Sequence, residues 1–86
     1  MIKPEISKDD IKSIYITIGK NVKNARKKKG MTQLQLSMSI GHKAVGTVSM
    51  CELCLNGKHF NIEHLIKIAN ALDCSVVDFF KDIKVK

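Results

Sequence analysis

The chain has 86 residues, room for one domain with a modest core, so added stability from self-association is expected. Aromatic residues make up only 5% and Trp is absent, which argues against base-stacking modules that need exposed rings. Formal net charge is +7, no apolar run approaches the roughly 20 residues needed to cross a bilayer, and the three cysteines read as free thiols of a cytoplasmic or nucleoid protein lacking a signal peptide.

Residues 1–6 read as a loose arm holding the only proline, Pro4. Ser7 then caps a first helix, with Asp9 and Asp10 facing its positive end. Ile11, Ile14, Tyr15, Ile18, Val22 and Ala25 recur at helical spacing and predict one apolar stripe. Gly19 is expected to bend this helix and Gly30 to stop it as a C-terminal cap. Over residues 20–29, Lys20, Lys23, Arg26, Lys27, Lys28 and Lys29 meet no acid, and residues 44–86 are balanced in charge. This run is either a solvated helix end whose cations suit the helix dipole or a phosphate-binding patch. Charge alone does not choose.

Thr32 caps a second helix of about two turns, with Leu34, Leu36 and Ile40 as apolar anchors and Gly41 at its end. Beyond His42-Lys43-Ala44, a third helix is predicted from about Val45 to Cys54, burying Val48, Cys51 and Leu55. Asn56-Gly57 is a turn signal. Asn61 caps a fourth helix with an amphipathic face of Ile62, Leu65, Ile66, Ala69 and Leu72. Ser75-Val76-Val77-Asp78 opens a short fifth helix ending near Phe80. No alternation persists long enough for a strand. The expected fold is all-α, five compact helices over residues 7–80, with residues 81–86 as a tail.

The segment Thr32 to Met50 has the makings of two short helices crossing steeply. Such a turn needs positive φ, which Gly41 supplies, and a small residue where the helices approach, which Ser37 supplies. Leu36, Ile40 and Val48 would seat the pair on the remaining helices and leave the outer face of the second one free. Around this unit, the stretch Ile18 to Leu36 comprises a basic helix, Gly30, Met31, Thr32-Gln33, two variable residues and Leu36. Together with Ile62 to Leu72 and Ser75 to Phe80, it resembles the lambda-repressor-like helix-turn-helix family, which includes phage repressors, Cro-type proteins and restriction–modification controllers. The resemblance covers about residues 18–80. Two departures stand out: Glu52 and Gly57 are five apart where the family has Glu-x-Gly, and Phe60-Asn61 stands where a Pro often precedes helix four.

The resemblance implies a transcriptional regulator that binds an inverted-repeat operator as a dimer, with its third helix in the major groove of double-stranded DNA. It assigns Gln33 to a phosphate, aided by Thr32 and the neighbouring amides, and gives Arg26 a supporting role. Lys28 belongs to the basic run beside them. On the reading helix the candidates are Lys43, Thr47, Ser49 and Met50, with His42 at the entrance. Lys43 suits guanine or phosphate, Thr47 and Ser49 suit base edges or phosphate, and Met50 suits a thymine methyl or partial burial. Asn56 and Lys58 in the exit loop suit flanking phosphates. Ala44, Val45 and Gly46 carry no long polar group, so part of the specificity is expected from DNA shape.

Other chemistries compete with this one. Cys51-Glu52-Leu53-Cys54 with His59 and His64 downstream has zinc-ligand residue types, but both cysteines fall on a predicted helix, where packed thiols are the stronger expectation. Cys74 reads as packing too. No nucleophile elbow, phosphate loop or carboxylate pair suggests an enzyme, and no cofactor, metal, membrane or small-molecule ligand is expected. An antitoxin-like protein-interaction module is the rival reading, with RNA binding behind it. Phe79, Phe80, Ile83 and Val85 gather apolar side chains near the C-terminus and predict a C2 homodimer through the fifth helix and tail.

Overall fold

The computed structural model describes residues 5–41 and 44–84, and every regular element among them is helical. Four α-helices follow one another: α1 (Lys8–Lys28), α2 (Gln33–Ser39), α3 (Val45–Leu53) and α4 (Ile62–Leu72). Two 3-10 turns, Leu55–Gly57 and Val76–Phe80, complete the chain. The expected fifth helix is therefore a 3-10 turn. Ser75 sets it up by accepting from the Val77 amide, while its carbonyl accepts from the Asp78 amide at 3.0 Å, a three-residue bond that an isolated five-residue segment closes more readily than four-residue ones.

Local chemistry fixes the helix ends. Ser7, Thr32 and Asn61 each cap a helix with a reciprocal pair of bonds. In the third of these the partner is a histidine: Asn61 Oδ1 accepts from the His64 amide at 2.7 Å, and His64 Nδ1 accepts from the Asn61 amide at 3.2 Å. Gly30, at φ +71°, ends α1 in a Schellman arrangement, its amide reaching the Lys27 carbonyl and the Met31 amide reaching that of Arg26.

α1 runs through Gly19 without a break for 21 residues. The glycine serves a close approach. A Cβ at this position would stand 2.5 Å from the Glu52 carbonyl oxygen and 2.8 Å from that of Cys51, so α1 and α3 touch backbone to backbone.

The core is shared by all four helices. Ile18 and Val22 of α1 meet Leu36 of α2, Val48 of α3, Leu65 and Ile68 of α4, and Phe79 from the second 3-10 turn. Several apolar positions fall elsewhere than the periodicity suggests. Leu34, Ile62 and Ile66 are exposed, and Ile68 takes the core position on α4. Leu55 is 47% exposed because Cys54, at φ +54°, turns the chain out of α3 and buries its own side chain instead.

Candidate nucleic-acid interface

The link between α2 and α3 passes through Gly41 at φ +86°, a conformation that a side chain would strain. Ser37, fully buried, lets the two helices close up, and its hydroxyl donates to the Ala44 carbonyl at 3.2 Å across the turn. His42 and Lys43 lie outside the described residues.

On α3, Val48, Cys51 and Glu52 are buried and define the inner face. At 100° per residue, Gly46, Met50 and Leu53 fall opposite them, with Thr47 and Ser49 on the flanks. Thr47, Ser49 and Met50 are half-buried, and Leu53 is exposed. Leu53 thus joins the outer face although the sequence reading passed over it; its spacing of three from Met50 was the signal available. In the exit loop Asn56 and Gly57 both take positive φ, and Asn56 and Lys58 are exposed. Thr32 and Lys28 are exposed as well, each near one end of the α1–α2 link.

Arg26 is placed differently from the rest of its basic run. Its side chain is 7% exposed and that of Glu52 is 0% exposed. The guanidinium donates from Nε to Glu52 Oε2 at 2.7 Å, from Nη2 to Glu52 Oε1 at 3.1 Å, and from Nη1 to the Met31 carbonyl at 2.8 Å. Glu52 Oε1 also accepts from Gln33 Nε2 at 2.9 Å. One buried carboxylate therefore ties α1, α2 and α3 together, and Arg26 has no surface to offer a phosphate. Its relation to Gln33 runs through Glu52. Lys20, Lys27, Lys28 and Lys29 remain exposed as the solvent-facing part of the run.

Cys51 and Cys54 are buried free thiols, Cys74 is half-buried, and among the described residues no three His, Cys, Asp or Glu side chains converge as metal ligands. Burial pushes the Cys51 thiol above its ordinary 9.0, with neighbouring Cys54 adding to the effect and Lys58 opposing it. Cys74 is also raised, first by burial, then by Asp78, against the pull of Lys29. A raised folded-state pKa contributes stability that is complete below the unfolded value and fades as pH climbs through the folded one, so any loss belongs above pH 9.0. With a thiol-specific reagent near pH 8, Cys74 is expected to react first, and Cys51 and Cys54 only as fast as the fold opens. Three equally fast thiols in the native protein would contradict this packing.

A sequence profile of the helix-turn-helix family matches residues 22–79. Searching the curated proteins gave no match. Among solved structures, the N-terminal DNA-binding domain of SinR from Bacillus subtilis is 30% identical at a TM-score of 0.66, over 77% of this chain and 93% of that one. SinR in complex with DNA is 32% identical at 0.63, over 72% and 95%. The restriction–modification controller protein C.AhdI from Aeromonas hydrophila shares the fold at a TM-score of 0.68 with 23% identity, over 77% and 96%. Among the described residues no helix is long and apolar enough to cross a membrane. With the profile spanning well over half of its length, the chain belongs to the lambda-repressor-like helix-turn-helix family of DNA-binding regulators.

Proposed function

We propose that the protein is a sequence-specific transcription regulator of the cytoplasm and nucleoid, binding an inverted-repeat operator as a homodimer. One observation carries the reading: α3 is pinned from behind by Glu52 and from its start by the Ser37–Ala44 bond, while on its outer face Gly46 and Leu53 are exposed and Met50 is half-exposed among the described residues. A short helix held rigidly with one face open is what major-groove insertion needs. Thr47, Ser49 and Met50 then face base edges, Thr32, Gln33, Lys28, Asn56 and Lys58 meet phosphates, and His42 and Lys43 act at the helix entrance. Arg26 contributes from inside. With so few long polar groups on the reading face, DNA shape carries a share of the specificity.

The dimer surface in this reading is apolar and differs from the C-terminal one expected from sequence. Phe79 is 0% exposed and belongs to the core, whereas Phe80 and Val77 face outward. Ile11, Ile62 and Phe80 line one shallow groove between α1 and the start of α4. Ile66 lies one turn beyond Ile62, at 56% and 63% exposure. A second copy laid across this face covers it by two-fold symmetry and sets two α3 helices toward successive major grooves.

Selection from random duplexes followed by salt titration tests the whole reading. The expected result is a symmetric motif and an affinity falling roughly 10³-fold or more between 50 and 200 mM salt. Ile62→Glu with Ile66→Glu is expected to give a folded monomer in sedimentation and to weaken operator binding at least about 100-fold, since one module alone covers only a half-site. Equal affinity for duplex DNA and RNA, or no binding at low salt, removes the reading.

A further inference from the structure

Gln33 opens α2 half-buried, where a glutamine side chain ordinarily samples several rotamers in solvent. Here its amide nitrogen is held at 2.9 Å by Glu52 Oε1. The acceptor is itself immobile: both oxygens of Glu52 are gripped by the Arg26 fork, and that guanidinium is anchored in turn to the Met31 carbonyl. Because a side-chain amide is planar, committing one N–H to Glu52 fixes the direction of the other. Charge matters as well. A bare carboxylate behind Gln33 would repel an approaching phosphate, and the Arg26 pairing neutralises it.

We propose that Glu52 is a positioning residue for DNA binding: through one hydrogen bond it presets the Gln33 amide so that the second N–H meets a backbone phosphate oxygen without first being ordered. The proposal deepens the DNA-binding reading above and rests on it. Glu52 also lies on α3, two residues past Met50, so the same side chain locks the phosphate contact on α2 to the register of the reading helix.

The test is a four-way comparison of duplex affinity, using the selected operator and an unrelated duplex of equal length. Gln33→Ala in the wild-type background is expected to weaken both about tenfold, as loss of a phosphate contact does. In an Arg26→Met, Glu52→Leu background that circular dichroism shows to be folded, the same change is expected to cost less than about twofold, because Gln33 is no longer preset. A structural role for Glu52 alone leaves the full tenfold cost in both backgrounds, and that result overturns the proposal.

Amide NMR of the wild-type chain gives a second reading that needs no variant to fold. The Gln33 side-chain proton committed to Glu52 is expected shifted from its ordinary glutamine position and slowed in solvent exchange relative to the other. Both protons at the ordinary shifts of a solvent-exposed glutamine amide, and exchanging equally fast, overturn the proposal even if DNA binds. Protected protons with no affinity for any duplex at low salt sink the DNA-binding reading instead, and the positioning role with it.

Discussion

Replacing Glu52 by leucine alone is expected to cost about 3–5 kcal/mol, a large part of the roughly 5–15 kcal/mol that holds a small domain together. The loss comes less from the missing attraction than from what remains. Arg26 would keep its charge inside the protein, 7% exposed, with only the Met31 carbonyl for company. Removing Arg26 alone strands the Glu52 carboxylate in the same way, with one amide from Gln33 as its partner. Replacing both, Arg26→Met with Glu52→Leu, is expected to restore most of the stability, because the desolvation cost of the two charges leaves together with their attraction. Met31 is only half-buried, so its carbonyl is then expected to turn to water. Urea denaturation followed by circular dichroism reads all three variants: the midpoint should drop sharply for each single change and recover in the double one. Single losses that simply add in the double variant would show that the pair is not the buried unit described here.

This network also marks where the sequence stops being legible. Caps and turns could be read because each depends on residues within three or four positions: Ser7 with Asp10, Thr32 with Gln35, Gly30 and Gly41 at their positive φ. The helix-turn-helix unit was legible for the same reason. Arg26 and Glu52 are 26 residues apart, and nothing local couples them. Arg26 sits in a run of lysines and looks like one more cation. The only clue is its spacing, since Ile18, Val22 and Arg26 fall at successive intervals of four on the buried face of α1. Glu52 carries a parallel clue, four residues past Val48 on the inner side of α3.

The misplaced isoleucines have another cause. Periodicity finds an apolar face on α4 but does not say what covers it. Leu65, Ile68 and Leu72 turn to the core, while Ile62 and Ile66 are exposed. A stripe wider than the core it meets reads as a single buried face. Gly19 is ambiguous in sequence for a related reason: a glycine inside a helix serves a bend or a close approach, and only the neighbouring backbone reveals the second.

That close approach gives the second large effect. Gly19→Ala ought to help α1 by about 1 kcal/mol through helix propensity alone. The new Cβ, however, meets the Glu52 and Cys51 carbonyl oxygens at 2.5 and 2.8 Å, where ordinary contact begins near 3.4 Å. Neither oxygen can swing aside as a flexible side chain would; the Cys51 carbonyl also accepts from the Cys54 amide. The whole of α3 has to retreat, which pulls Glu52 from Arg26 and strains the Ser37–Ala44 bond at the other end of the helix. A net loss of about 2–3 kcal/mol follows from overpacking, lowering the melting temperature by roughly 10–20 °C for a domain of this size. Gly46→Ala supplies the control, since that glycine is helical and a Cβ there meets nothing within 4 Å. It should leave the melting temperature unchanged or raise it by a few degrees. If Gly19→Ala melts with or above the wild type, the two helices do not meet backbone to backbone, and the rigid seating of α3 on which the groove-reading proposal depends is lost with that contact.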